Sequence, residues 1–129
     1  MIQRMMAVLA LTVAFSMTAK ADEPNVGHMV FFELKEKTPE AKAKLVAACE
    51  KYLKPQPGVL YFSAGARGEE FTRDVNAKDW DVALHLVFTD KAAHDKYAKD
   101  AEHEKFIAEN KDNWKSVKVY DSLLAPAKK

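Results

Sequence analysis

Cysteine is almost missing from this chain: a single thiol, Cys49, rules out an internal disulfide framework in any redox compartment. Glycine is sparse too. The four glycines stand singly, so no Gly-rich phosphate loop can be built, and neither G-x-S-x-G nor C-x-x-C occurs. An excess of one charge sign is also lacking. The formal net charge is +1 over 129 residues, and the lysine-rich stretches carry interleaved acids, which removes the electrostatic case for a nucleic-acid or anionic-membrane partner. The four histidines show no H-x-x-x-H or paired-carboxylate spacing, so no metal ligand set is expected.

What is present first is a leader of distinct composition. Arg4 precedes an uncharged apolar run, Met5 to Met17, that is shorter than the roughly 20 residues needed to span a bilayer. Ala19-Lys20-Ala21 then offers small residues at both positions of an A-x-A cleavage site. Residues 1–21 are therefore expected to be a secretory signal peptide, and the mature chain, secreted or periplasmic, to begin near Asp22. Loss of Arg4 and Lys20 would take the net charge from +1 to −1. The remainder is one domain's worth of chain, able to bury roughly two-thirds of its unfolded surface.

After a short leader, residues 22–25, the strand candidate Val26–Lys35 places His28, Val30, Phe32 and Leu34 on one face and Met29, Phe31 and Glu33 on the other. Thr38-Pro39-Glu40 starts a helix, with Thr38 at the N-cap and Pro39 in the first position. Its apolar stripe runs through Ala41, Leu45, Ala48, Cys49, Tyr52 and Leu53, until Pro55, Pro57 and Gly58 end it. Cys49 on that stripe reads as a buried, inert thiol. Val59–Ala66 is a strand expected to bend or bulge near Gly65 and Gly68, and residues 68–78 form a loop. Trp80–Phe88 is apolar on both faces, as a central strand should be, with His85 on the side opposite Leu84 and Leu86. A second helix, capped by Thr89 or Asp90, is expected to break near Asp100 and Ala101; on it His94 reads as solvent-exposed. Lys115–Leu124 is the last strand, and residues 125–129 a fraying tail.

The order β-α-β-β-α-β is an α+β, ferredoxin-like arrangement with a four-stranded antiparallel sheet in which the first and third strands are central. Those are the two runs apolar on both faces. Helices can cover only one side, so the other side calls for a partner, and a symmetric homodimer packed sheet against sheet would supply it.

Taken together, His28-Met29-Val30-Phe31-Phe32-Glu33-Leu34-Lys35, the Thr38-Pro39-Glu40 helix start, Asp81-Val82-Ala83-Leu84 leading to Phe88, Tyr97 with His103, and Val117-Lys118-Val119-Tyr120-Asp121 resemble the stress-responsive A/B barrel (Dabb) domain. The resemblance covers about residues 26–123. It implies a protomer that pairs into a dimeric α/β barrel. Compared with the plant polyketide cyclases of this group, His28 matches the histidine opening the first strand, Tyr97 the pocket tyrosine and His103 the acid/base histidine. The cyclases' further histidine falls at Val82, and Asp100-Ala101 replaces a His-Pro pair.

Three functional readings follow. The first is a homodimer binding a small apolar or aromatic molecule between sheet and helices. The second is a cofactor-independent cyclase, isomerase or monooxygenase-like enzyme using His28, Tyr97 and His103 to move a proton near neutral pH. The third is a structural, stress-associated dimer without a ligand. No cofactor is expected; haem would need a far larger cavity. On an unbroken helix Tyr97 and His103 would point about 240° apart, so their convergence depends on the break.

Overall fold

The computed structural model describes residues 22–126; residues 1–21, expected to be a signal peptide, and the last three residues lie outside the described part. The chain runs β1 (Val26–Leu34), α1 (Pro39–Tyr52), β2 (Val59–Ala66), β3 (Val82–Phe88), α2 (Lys91–Ala98), α3 (Ala101–Asn110), a 3₁₀ turn at Lys111–Asn113, and β4 (Trp114–Leu123). All three strand pairings are antiparallel, in the order β2-β3-β1-β4. The ferredoxin-like topology is thus as expected, with the two doubly apolar strands at the centre.

Alternation explains the layering. The helix side of the sheet carries Val26, Val30, Phe32 and Leu34 from β1 and Val82, Leu84, Leu86 and Phe88 from β3, each at most 5% exposed. They pack against Leu45, Cys49, Tyr52 and Leu53 of α1 and its end, with Tyr97 and Phe106 closing the core from α2 and α3. The opposite side holds Met29, Phe31, Ala83, His85 and Val87, all partly buried, with Tyr61 and Tyr120 half exposed at its margins. There Phe31 packs edge-on against Trp80 and Tyr120, and Tyr61 lies 5.2 Å from the His85 ring.

Three side-chain caps set the helix starts. Thr38 Oγ1 accepts from Ala41 N at 3.2 Å, Asp90 Oδ1 from Ala93 N at 2.8 Å, and Asp100 Oδ1 from Glu102 N at 2.8 Å. The last of these breaks the second helical stretch at the expected place. Asp100 also accepts from Gln56 Nε2 at 3.1 Å, and the same amide donates to the Tyr52 carbonyl at 3.0 Å. The end of α1 is therefore tied to the α2–α3 corner.

Two local expectations need correction. The strand expected from Trp80 begins at Val82, because the Asp81 carboxylate turns inward to accept from Leu34 N at 2.8 Å, while Asp81 N donates to the Phe32 carbonyl at 2.7 Å. The bulge expected in β2 near Gly65 lies instead between Val59 and Tyr61; pairing with β3 is regular from Tyr61 to Ala66.

Candidate functional site

Register creates the first half of the site. His28 on β1 stands directly across from Asp121 on β4, and its Nδ1 lies 2.5 Å from Asp121 Oδ1. Because it alternates in phase with Val30 and Phe32, its ring is held on the helix side, 7% exposed. Burial lowers its proton affinity; the Asp121 hydrogen bond and charge oppose this, His94 adds to it, and the net shift is downward. At neutral pH His28 is thus an imidazole that donates Nδ1–H to Asp121 and keeps a lone pair on Nε2.

The helix break supplies the second half. Tyr97, near the end of α2, is 3% exposed, and its ring centroid lies 4.9 Å from Phe88, 5.7 Å from His28 and 4.6 Å from His103. Burial pushes its phenol well above the ordinary range, so it keeps its proton. His103 sits in the first turn of α3. Its proton affinity is also lowered, chiefly by burial and then by the charge of His28, with the Ala98 backbone and nearby acids pulling the other way. The three residues expected to converge, His28, Tyr97 and His103, are therefore brought together. The hydrogen-bond partner of His28, however, is Asp121.

His94, expected in solvent, is placed differently. Its side chain is only 20% exposed, and its ring lies 5.2 Å from His28 and 5.6 Å from Phe88. It is three residues before Tyr97, so both fall on one side of α2; that spacing was the available signal. The charged neighbours Lys91 and Asp95 obscured it.

These rings border a cavity of about 210 Å³ between the sheet and α2–α3. Its other walls are Val30, Phe32, Leu84, Phe106, Ile107, Trp114, Val117 and Val119, so the lining is overwhelmingly apolar. Two of its lining residues carry buried ring nitrogens without a hydrogen-bond partner among the described residues, His103 Nδ1 and Trp114 Nε1. Buried polar atoms are nearly always satisfied, and an orphaned pair at one cavity calls for an explanation. A wider groove of about 640 Å³ runs past Pro39, Lys42, Glu50, Arg67 and Glu69. It is open and lies away from all four histidines.

Residues 26–123 match the model of the Stress Responsive A/B Barrel Domain. No curated protein matches the chain. Among solved structures, one described as a Dabb family protein with a ferredoxin-like fold, from Mesorhizobium loti, superposes with a TM-score of 0.67 at 18% identity, over 81% of this chain and 100% of that one. A dimeric ferredoxin-like protein of unknown function from Thermobifida fusca gives 0.65 at 16% identity, over 79% and 92%. A hydroxynitrile lyase from Passiflora edulis gives 0.66 at 14% identity, over 84% and 99%. At these identities the likeness is one of fold.

Proposed function

The chain belongs to the stress-responsive A/B barrel (Dabb) family, and from that premise we propose that it is an exported homodimer that binds a small, mostly apolar ring compound in the cavity beneath α2 and α3. The observation that carries this reading is the pair of orphaned ring nitrogens, His103 Nδ1 and Trp114 Nε1, on residues that line an apolar cavity. Both nitrogens are closed off behind their own rings, so a ligand with one hydroxyl or carbonyl group would satisfy them through a small turn of the His103 or Trp114 ring while its own ring fills the apolar space. A cavity of about 150 Å³ already admits benzene, so about 210 Å³ accommodates one ring with a short substituent.

The partner is a second copy of the chain. Support comes from the apolar side of the sheet that no helix among the described residues covers, with Met29, Phe31, Val87, Tyr61 and Tyr120 across three pairings, and from a structural neighbour described as dimeric. Export rests on the leader: Arg4, the apolar run and Ala19-Lys20-Ala21.

A second reading is catalytic. Asp121 orients His28, leaving Nε2 as a base, while Tyr97 stays protonated as a hydrogen-bond donor at the same cavity. This set suits cofactor-independent proton transfer on an enol or phenol. A neighbour named as a lyase is in keeping with it.

Native mass spectrometry on the exported chain tests the first reading. A dimer that carries a defined extra mass, or takes up single-ring phenols and aromatic aldehydes added to it, is the expected result. A chain that remains empty with every probe, or a monomer, overturns it. The catalytic reading requires in addition that a captured compound be changed by the wild-type chain and left unchanged by His28→Gln.

A further inference from the structure

We propose that His28, His94 and Asp121 form a binding site for one divalent first-row transition-metal ion, of the zinc class, at the edge of the cavity beneath α2. The proposal stands apart from the identity of any organic ligand. It rests on three donors from three different elements: β1, α2 and β4 each contribute one ligand atom, and these atoms all lie within 4.8 Å of one another.

Donor chemistry selects the ion. Two imidazoles and one carboxylate suit zinc and its neighbours, whereas calcium and magnesium demand all-oxygen surroundings. Three protein ligands also leave a coordination position open, which is the arrangement of reactive rather than structural sites. His28 and His94 both line the cavity, so that position adjoins the space where a small molecule would sit.

The orientation of His94 argues most strongly. Its Nδ1 lies 3.1 Å from Asp95 Oδ1, a carboxylate that is itself held by Lys91. That contact puts the ring proton on Nδ1 and leaves the lone pair on Nε2, which stands 3.6 Å from Asp121 Oδ1. The gap is too wide for a hydrogen bond. It is close to the separation of about 3.3 Å expected between two ligands of a tetrahedral ion with bonds of about 2.0–2.2 Å. A carboxylate fixing the outer nitrogen of a histidine whose inner nitrogen faces other donors is the usual support of a metal-bound imidazole.

The His28–Asp121 distance must change. His28 Nδ1 and Asp121 Oδ1, now 2.5 Å apart across the Nδ1–H hydrogen bond, would separate by roughly 0.8 Å to admit an ion between them, the proton passing from Nδ1 to Nε2 through solvent. The Asp121 side chain is 44% exposed and can swing toward solvent to do so, which also gives the ion a way in. The sequence shows none of this, since the three ligands are separated by 66 and 27 residues and meet only through β-sheet register and helix packing.

The test uses the full chain without a polyhistidine tag, stripped with a chelator and titrated with Co²⁺ as a spectroscopic probe. Strong visible ligand-field bands of low-symmetry Co²⁺ should saturate at one ion per chain, be displaced by Zn²⁺, and be lost in His94→Ala. His94→Ala removes ring contacts with His28 and Phe88 but no member of the buried core, so that variant should keep the wild-type far-UV circular dichroism in the absence of metal. Asp121→Asn, which keeps a hydrogen-bond acceptor for His28, should also lose the bands. Asp95→Asn should weaken Co²⁺ binding by about 10- to 100-fold. A wild-type chain without saturable bands, or bands that survive in both His94→Ala and Asp121→Asn, overturns the proposal. Neither result bears on the cavity reading, whose mass-spectrometric test is run without metal.

Discussion

Removing the Asp81 carboxylate should cost this fold more than its place at a loop end suggests. Asp81 is 3% exposed, and its Oδ2 accepts from Leu34 N at 2.8 Å, at the point where pairing between β1 and β4 shifts register between Glu33 and Leu34. The shift takes the Leu34 N–H out of the regular ladder, and Leu34 itself is 1% exposed, so water cannot replace the acceptor. Asp81→Ala therefore leaves a buried amide unsatisfied and removes a charge-assisted hydrogen bond, a loss of about 2–3 kcal/mol. The contact with Lys37 Nζ at 3.5 Å adds little, because that lysine is half exposed. Asp81→Asn keeps an acceptor oxygen and should lose only about 1 kcal/mol. Urea unfolding followed by circular dichroism would show it as a midpoint lower by roughly 1–2 M for Asp81→Ala, with an unchanged slope. In melting this corresponds to a drop on the order of 10 °C. If both variants lie within about 0.5 kcal/mol of each other, the amide is not the reason for the cost and the reasoning fails.

Two further outcomes follow from buried titratable groups. The Cys49 thiol is fully buried, and burial pushes its pKa up to about 12; a thiol reagent at pH 8 should label it only as fast as the chain unfolds, and rapid labelling of the native protein would contradict this. His28 and His103 are held below the ordinary histidine value of about 6.5 by burial, so the unfolded chain binds protons that the folded one refuses. Stability should therefore be full above about pH 6.5 and fall as the pH drops toward 5, above the range where carboxylates titrate; His103→Gln should flatten that slope, and a flat wild-type profile between pH 5 and 7 would refute it.

How far the sequence could be read depended on the range of the interaction. Strand centrality was visible because Val26–Leu34 and Val82–Phe88 are apolar on both faces, and the helix break because Asp100 is a good N-cap. His28, Tyr97 and His103 are grouped by the resemblance to the plant cyclases, and the break is what allows the last two to meet. Asp121 and Trp114 could not be added to that group, since β1–β4 register decides which β4 residues stand against His28 and Leu34, and register leaves no mark on the pattern of β4 itself. His94 was misplaced because two charged neighbours outweighed a helical spacing of three. Asp81 looked like a strand residue because its inward turn answers an irregularity in a different strand.

The corner at Asp100 has a consequence for how such a site can change. Tyr97 and His103 face each other only because the chain changes direction between them, and Gln56 ties that bend to the end of α1. The angle between the two halves of the pocket is thus governed by a few polar atoms far from the sheet. Substitutions at the corner could widen, narrow or close the cavity while every strand keeps its register. A straight helix through the same residues would preserve the rings and their chemistry and bring none of them together.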